Sequence, residues 1–392
     1  DLHLSIRRQR QMCIRDSYTD GTTNPWGIDW NDHGHGFVCT SVDPHLYHVI
    51  QGAHHEPWRN RDSSRYAYQR IPTIADHLHF TGSVKVQDGL GTEAEDKSGG
   101  GHSHAGTMIY LGDNWPDSYR NGMFVNNTHG RRINHDIPAR AGSGYTASHG
   151  PTLMRSRDPW YMGIALRYGP DGAVYAADWS DTESCHSRPN TRRETGRIHR
   201  IAYGKPQWDR VDLATLGDLA LVERHLHRND WHVRHARRLL QERAAAGADF
   251  SATHAELHRM FAGNPDVTRQ LRALWTLHAT GGIDAAFLGE QLGHLNEHVR
   301  AWAVQLLCED RRPPASALTR FARMAERETS PLVRLYLASA LQRIEPAQRW
   351  DIAAGLLTRG EDAGDQNLPL MVWYGIEPLV RADLQRLSLI HI

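Results

Sequence analysis

Residues 160–181, WYMGIALRYGPDGAVYAADWSD, read as a strand, a tight turn and a second strand. Ile164, Leu166 and Tyr168 alternate before Gly169-Pro170-Asp171-Gly172, and Val174, Ala176 and Trp179 follow in looser alternation. Gly169 and Gly172 allow turn dihedrals that a Cβ resists, and Pro170 presets its own φ. The hairpin ends in Asp178-Trp179-Ser180-Asp181, where two carboxylates meet the end of a buried strand. A hairpin of this make-up is the unit of a β-propeller blade.

The same logic recurs upstream. Residues 24–50, NPWGIDWNDHGHGFVCTSVDPHLYHVI, place Gly27-Ile28 where the later hairpin has Gly163-Ile164, with a turn at 32–36 and Phe37-Val38 after it. The two Gly-Ile positions, 27 and 163, are 136 residues apart, which predicts about three blade units. A middle unit at 102–127 carries strands at 107–111 and 122–126, joined by Gly112-Asp113-Asn114. The polar stretch 51–101 reads as long loops over one face, which places His54, His55, His77 and His79 on the surface. Residues 196–203, GRIHRIAY, read as a short closing strand. Residues 18–204 therefore predict three to four blades, the second half of a six-bladed ring.

After Gly204 the pattern turns helical. NDWHVRHARRLL at 229, NPDVTRQLRALW at 264, NEHVRAWAVQLL at 296 and SPLVRLYLASAL at 330 align on Val233, Val267, Val299 and Val333, in steps of 34, 32 and 34. Asn or Ser opens each unit as an N-cap, and helix pairs at this period predict a HEAT-type α-solenoid over 205–386. Arg234, Arg300 and Arg334 recur with the period and are expected to bond between neighbouring repeats. Residues 368–379, LPLMVWYGIEPL, are apolar almost all round and predict a further buried helix.

Composition bounds the function. In 392 residues, 45 basic side chains balance 45 acidic ones, so charge makes no case for a nucleic-acid partner. No apolar run is long enough for a membrane span. Four cysteines without paired spacing give neither a disulfide framework nor a zinc site. Residues 1–17 and 387–392 contain MCIRDS and LSLIHI, which resemble translated sequencing-adapter sequence and are set aside as artefactual ends. The chain then reads as an internal fragment.

The histidines, 26 in all, concentrate in the first half, and several clusters fall where propeller loops and strand ends belong. His102-Ser103-His104 precedes one strand, and Asn127, His129, Arg131 and Arg132 follow another. His149 precedes the 160–181 hairpin, and Asp178, Asp181, Cys185 and His186 end it. Imidazole beside carboxylate suits a general base or a metal ligand set. Asp178 and Asp181 have an equally good reading as caps of backbone groups in turns, and for Asn127 that is the commoner reading.

NPWGIDWNDHGHGF, HAGTMIYLGDNWPDSYRNGMFVNNTHGRRIN, RYGPDGAVYAADWSD and GRIHRIAYG together resemble the Planctomycete-type membrane-bound dehydrogenase domain, a propeller related to quinoprotein sugar and sorbosone dehydrogenases. The helical half resembles the HEAT-like region that follows it in the same proteins, so the likeness covers about residues 22–381. It implies a periplasmic or cell-envelope oxidoreductase acting on sugars or alcohols, with pyrroloquinoline quinone and calcium as cofactors. Electrons would pass to a haem c domain outside this fragment. His104 or His129 is then the candidate base, and Arg131, Arg132, Asn127 and His149 the cofactor contacts. Asp178, Asp181 and His102 become the candidate metal ligands. Two other readings stand beside it: a non-catalytic scaffold binding polysaccharide or a protein on the solenoid, and a metal-dependent propeller hydrolase.

Overall fold

The computed structural model describes residues 17–42, 44–57, 69–77, 99–100, 103–181, 194–206, 208 and 210–386. The N-terminal half is rich in sheet and the C-terminal half is helical. Three antiparallel sheets follow one another along the chain. The first runs β1 (Pro25–Trp30), β2 (Gly36–Thr40), β3 (Leu46–Val49). The second holds β4 (His104–Ile109), β5 (Met123–Asn127), β6 (Arg132–Ala141) and β7 (Gly144–His149), with β8 (Met154–Arg155) paired to the start of β6. The third is β9 (Gly163–Tyr168), β10 (Val174–Asp178) and β11 (Arg197–Ile201).

The opening strand of each sheet packs on that of the next: β1 lies against β4, and β4 against β9. Glycine makes this approach possible. A Cβ on Gly27 (φ +122°) would sit 2.5 Å from the Thr107 backbone nitrogen, and one on Gly106 (φ +70°) 2.5 Å from the Ala165 Cα. Neither backbone can retreat without breaking a ladder. Phe37, Met108, Phe124, Leu166 and Val174 fill the core between the sheets.

The sequence expectation needs three corrections here. Positions 27 and 163 are two sheets apart, because a long insertion separates β3 from β4 and stretches the first step. The segment taken for loops around Arg132 and His149 forms β6 and β7. The buried start of β6 carries Arg132, Asn134 and Asp136, so the apolar alternation that marks a strand is missing there. In the 169–172 turn, only Gly172 adopts a positive φ, +70°. Gly169 is needed for space instead, since a Cβ there would meet the Tyr175 ring at 2.7 Å.

The helices are α1 (Asp218–Glu223), α2 (Asp230–Ala245), α3 (Ser251–Gly263), α4 (Val267–Thr280), α5 (Ala285–Gln291), α6 (Glu297–Leu307), α7 (Ala315–Arg327), α8 (Pro331–Leu341), α9 (Trp350–Leu357), α10 (Leu368–Ile376) and α11 (Leu379–Ala382). Helices α2, α4, α6, α8 and α10 stack one on the next, and α3, α5, α7 and α9 return between them. Asn229, Asn296 and Ser330 cap α2, α6 and α8 through their side chains. At the second unit the cap is Asp266, two residues beyond the expected Asn264, which bonds the Asp266 N–H instead. Arg300 and Arg334 reach forward to Glu328 and Asp362, each 28 residues on. Arg234 departs from that pattern: it crosses to the first sheet and bonds Asp29 at 2.7 Å.

The two halves share a polar seam. Asn229 donates to the Gly169 carbonyl, Trp302 to that of His33, and Ser339 to that of Gln51. His33 stacks on His298 with ring centroids 3.9 Å apart, and His35 Nδ1 lies 2.6 Å from the Tyr145 hydroxyl. Burial, then neighbouring histidines and Arg140, lowers His48 and His298 to about 3. Both are neutral when folded, whereas the unfolded chain protonates them near 6.5. Their contribution is therefore present above pH 6.5 and is lost as pH falls toward 3, by roughly 1.4 kcal/mol per unit and per histidine. Urea unfolding at pH 7 and pH 5 is expected to show a loss of about 2 kcal/mol for each, and His298→Gln to remove one share. Equal stability at both pH values would contradict this.

Candidate metal centre

The ladder register builds the site. Asp136 on β6 stands opposite Met123 on β5 and His149 on β7, while Asn127 stands opposite both His104 and Arg132. Directly paired residues share a sheet face, and alternate residues along β6 put Arg132, Asn134 and Asp136 on that face together. His104, Asn127, Arg132, Asp136 and His149 thus occupy one buried face of the second sheet.

The first sheet supplies the facing residue. His45 ends the turn between β2 and β3, where its carbonyl accepts from the Thr40 N–H. Its Nε2 lies 3.6 Å from Asp136 Oδ1 and its ring centroid 5.1 Å from that of His104. The segment before residue 78 brings the third group. Backbone bonds tie Ile74 to Leu46 on one side and Ala147 on the other, and Asp76 also bonds Ala147. This places His77 with Nε2 at 2.9 Å from Asp136 Oδ1 and its ring 5.4 Å from that of His149.

His45, His77 and Asp136 each offer one ligand atom, all within 4.8 Å of one another. His45 and Asp136 are buried and His77 is largely covered. The far nitrogen of His77, Nδ1, lies 2.7 Å from Asp76 Oδ1. Burial pulls the His77 pKa down, but the hydrogen bonds and charges of Asp136 and Asp76 outweigh it and hold it above the ordinary value. A proton on His77 is favoured by its 2.9 Å contact with Asp136. A cation between the three donors would displace it, leaving Asp76 to fix the tautomer and orientation of a liganding imidazole.

The residues singled out from sequence divide between this centre and other places. His104 and His149 lie beside it. Asn127 shares a ladder row with His104 and Arg132, but its amide serves the turn: Oδ1 accepts from Gly130 N–H at 2.9 Å, and Nδ2 donates to Gly99 and Gly100. His129 and Arg131 lie between β5 and β6, both buried, Arg131 at φ +51°. Arg132 bonds the Gly130 carbonyl.

Asp178 and Asp181 belong to the third sheet and its end, away from the three ligand candidates. Asp178 Oδ1 accepts from the N–H groups of Met162 and Ser180, and Oδ2 contacts Arg197 and His199 at 2.9 Å each. Burial raises its pKa, but these bonds outweigh that and hold the carboxyl below its usual range. His102, His79, Cys185 and His186 lie outside the described residues.

His45, His77 and Asp136 escape a reading by motif because they are 32 and 59 residues apart and share no element. His77, expected on the surface, is 15% exposed at its side chain, and His55 is fully buried. The local polarity of 51–101 concealed both. The available signal was the excess of histidine in the first half.

Residues 5–205 match the model of a family described as a domain of unknown function, DUF7133. The match begins within the stretch set aside as an artefactual end and stops one residue past the expected boundary at 204. No curated protein matches the chain.

Proposed function

We propose a metal-dependent function for this chain, which belongs to the DUF7133 family. The observation that carries it is the meeting of His45, His77 and Asp136 with Asp76 behind His77. Two imidazoles and a carboxylate form the donor set of hydrolytic zinc sites and of open iron(II) sites. Calcium prefers six to eight oxygen donors, so this set favours a transition ion. A zinc ion held here would supply a Lewis acid and an activated water, and metal-dependent hydrolysis is the reaction class we assign. The chain's own residues hold the ion, orient His77 through Asp76 and place His104 beside the centre.

The architecture we propose is part of a β-propeller followed by a HEAT-type solenoid. Support comes from the three consecutive antiparallel sheets, their packed opening strands and the two-row helical stack. The second reading is the quinoprotein-like, cell-envelope dehydrogenase implied by the sequence resemblance. The buried row of His104, Asn127 and Arg132 favours it, since it brings a candidate base and a cation to one face. Asp178, however, has both oxygens engaged within its own sheet, so calcium does not fit there.

The test is titration of the chelator-treated chain with Zn²⁺, Fe²⁺, Mn²⁺ and Ca²⁺, with bound metal measured after gel filtration. One equivalent of a transition ion is expected, and its loss in His77→Ala. Retention of nothing, or binding indifferent to His77, would sink the proposal. Binding of Ca²⁺ alone would transfer the case to the second reading.

A further inference from the structure

A cleft of about 540 Å³ lies between the first sheet and helices α2, α4 and α6. Two features of its lining point to a ligand. The first is aromatic. Trp30 stands at the cleft 45% exposed, and Trp26, 49% exposed, lies four residues before it on the same strand. Deeper in, Trp275 and Trp302 form an edge-on pair with centroids 5.2 Å apart. Gly34 makes room for that pair, since a Cβ there would meet Trp302 at 2.6 Å and Trp275 at 2.7 Å.

The second is a cation in excess. Arg234 and Arg272 share Asp230, at 2.6 and 3.1 Å. Arg237, one turn along α2 from Arg234, has no partner for its Nε and feels Asp230 only through space, sharing that one carboxylate with Arg234 and Arg272. Its guanidinium carbon sits 5.2 Å from the centre of the Trp275 ring, and its Nε is buried. A guanidinium held this way is drawn to a carboxylate, which it can grip through two parallel N–H bonds.

We infer that this cleft binds an acidic saccharide. A pyranose ring lays its C–H face on Trp30, and a uronate carboxylate pairs with Arg237. A neutral sugar would leave the cation unmatched, and an anion without an apolar face would leave the tryptophans idle. This site is separate from the three metal ligand candidates, and either can fail alone.

The experiment is tryptophan-fluorescence titration of the full chain with oligogalacturonate, with a neutral cello-oligosaccharide of equal length as comparison. Saturable binding at least tenfold tighter for the acidic oligomer is expected. Arg237→Met should remove that preference and Arg237→Lys should keep part of it. Trp30→Ala, at an exposed position, should weaken binding of the acidic oligomer tenfold or more with thermal unfolding unchanged. Equal affinity for both oligomers, no saturation with either, or an acid preference that survives Arg237→Met would overturn the assignment.

Discussion

Asp136→Asn is expected to lower transition-metal affinity by at least about 100-fold, while Asp76→Asn lowers it by roughly 10-fold. The two carboxylates differ in what they touch. Asp136 Oδ1 faces Nε2 of both His45 and His77, so its loss removes a ligand and the charge that offsets the cation. Asp76 touches only the far nitrogen of His77 and acts on its orientation and basicity. Asparagine keeps the shape of aspartate in both places, so the fold should survive, which thermal unfolding of the metal-free variants checks. Metal binding measured by isothermal titration would then grade the two substitutions. Equal and small effects would place any bound ion elsewhere.

Asp230→Ala should cost about 3–5 kcal/mol of stability. Asp230 is the first residue of α2, and its backbone N–H donates to the Leu111 carbonyl across the seam. Its carboxylate takes Arg234 at 2.6 Å and Arg272 at 3.1 Å. Burial alone would raise its pKa, but the three neighbouring arginines outweigh it and keep the carboxyl low. Arg272 is 1% exposed, and its other bonds go to the carbonyls of His225 and His227. Burial depresses its pKa to about 10 despite these partners. Without Asp230, the buried guanidinium keeps Asp32 as its one carboxylate partner among the described residues, at 3.6 Å and already paired with Arg120. Adding Arg272→Met removes the stranded charge and should recover a large part of the loss. An unfolding free energy for Asp230→Ala within about 1 kcal/mol of the parent in urea titration would show that the seam does not depend on this cluster.

These two expectations rest on contacts that a linear reading could not supply. Asp230 follows the cap Asn229 and reads as an ordinary first-turn acid, which it is. Its second duty, holding Arg272 from the next repeat, depends on how α2 stacks on α4. Arg234 likewise shares its repeat position with Arg300 and Arg334. Its repeat is also packed against the first sheet, and its side chain turns there to bond Asp29 instead of reaching forward to the next loop.

What the sequence determined by itself was local and periodic. The 169–172 turn, the glycines at 27 and 163, the caps at 229, 296 and 330 and the valine period each need only the chemistry of a few adjacent residues. From them came the order of the halves, strands first and helices after, while the apolar run 368–379 marked the last buried helix, which the structure ends at Ile376. Tertiary structure alone decided the site. The start of β6 is buried with Arg132, Asn134 and Asp136 on it, because the groups it carries meet partners from other segments. His45, His77 and Asp136 come from a turn, an insertion and a strand. Their burial and close approach exist only once the first sheet and the segment before residue 78 close over the second. Hydrophobic periodicity records which face turns inward, but it carries no term for a charge that is tolerated inside because its partner arrives from far along the chain.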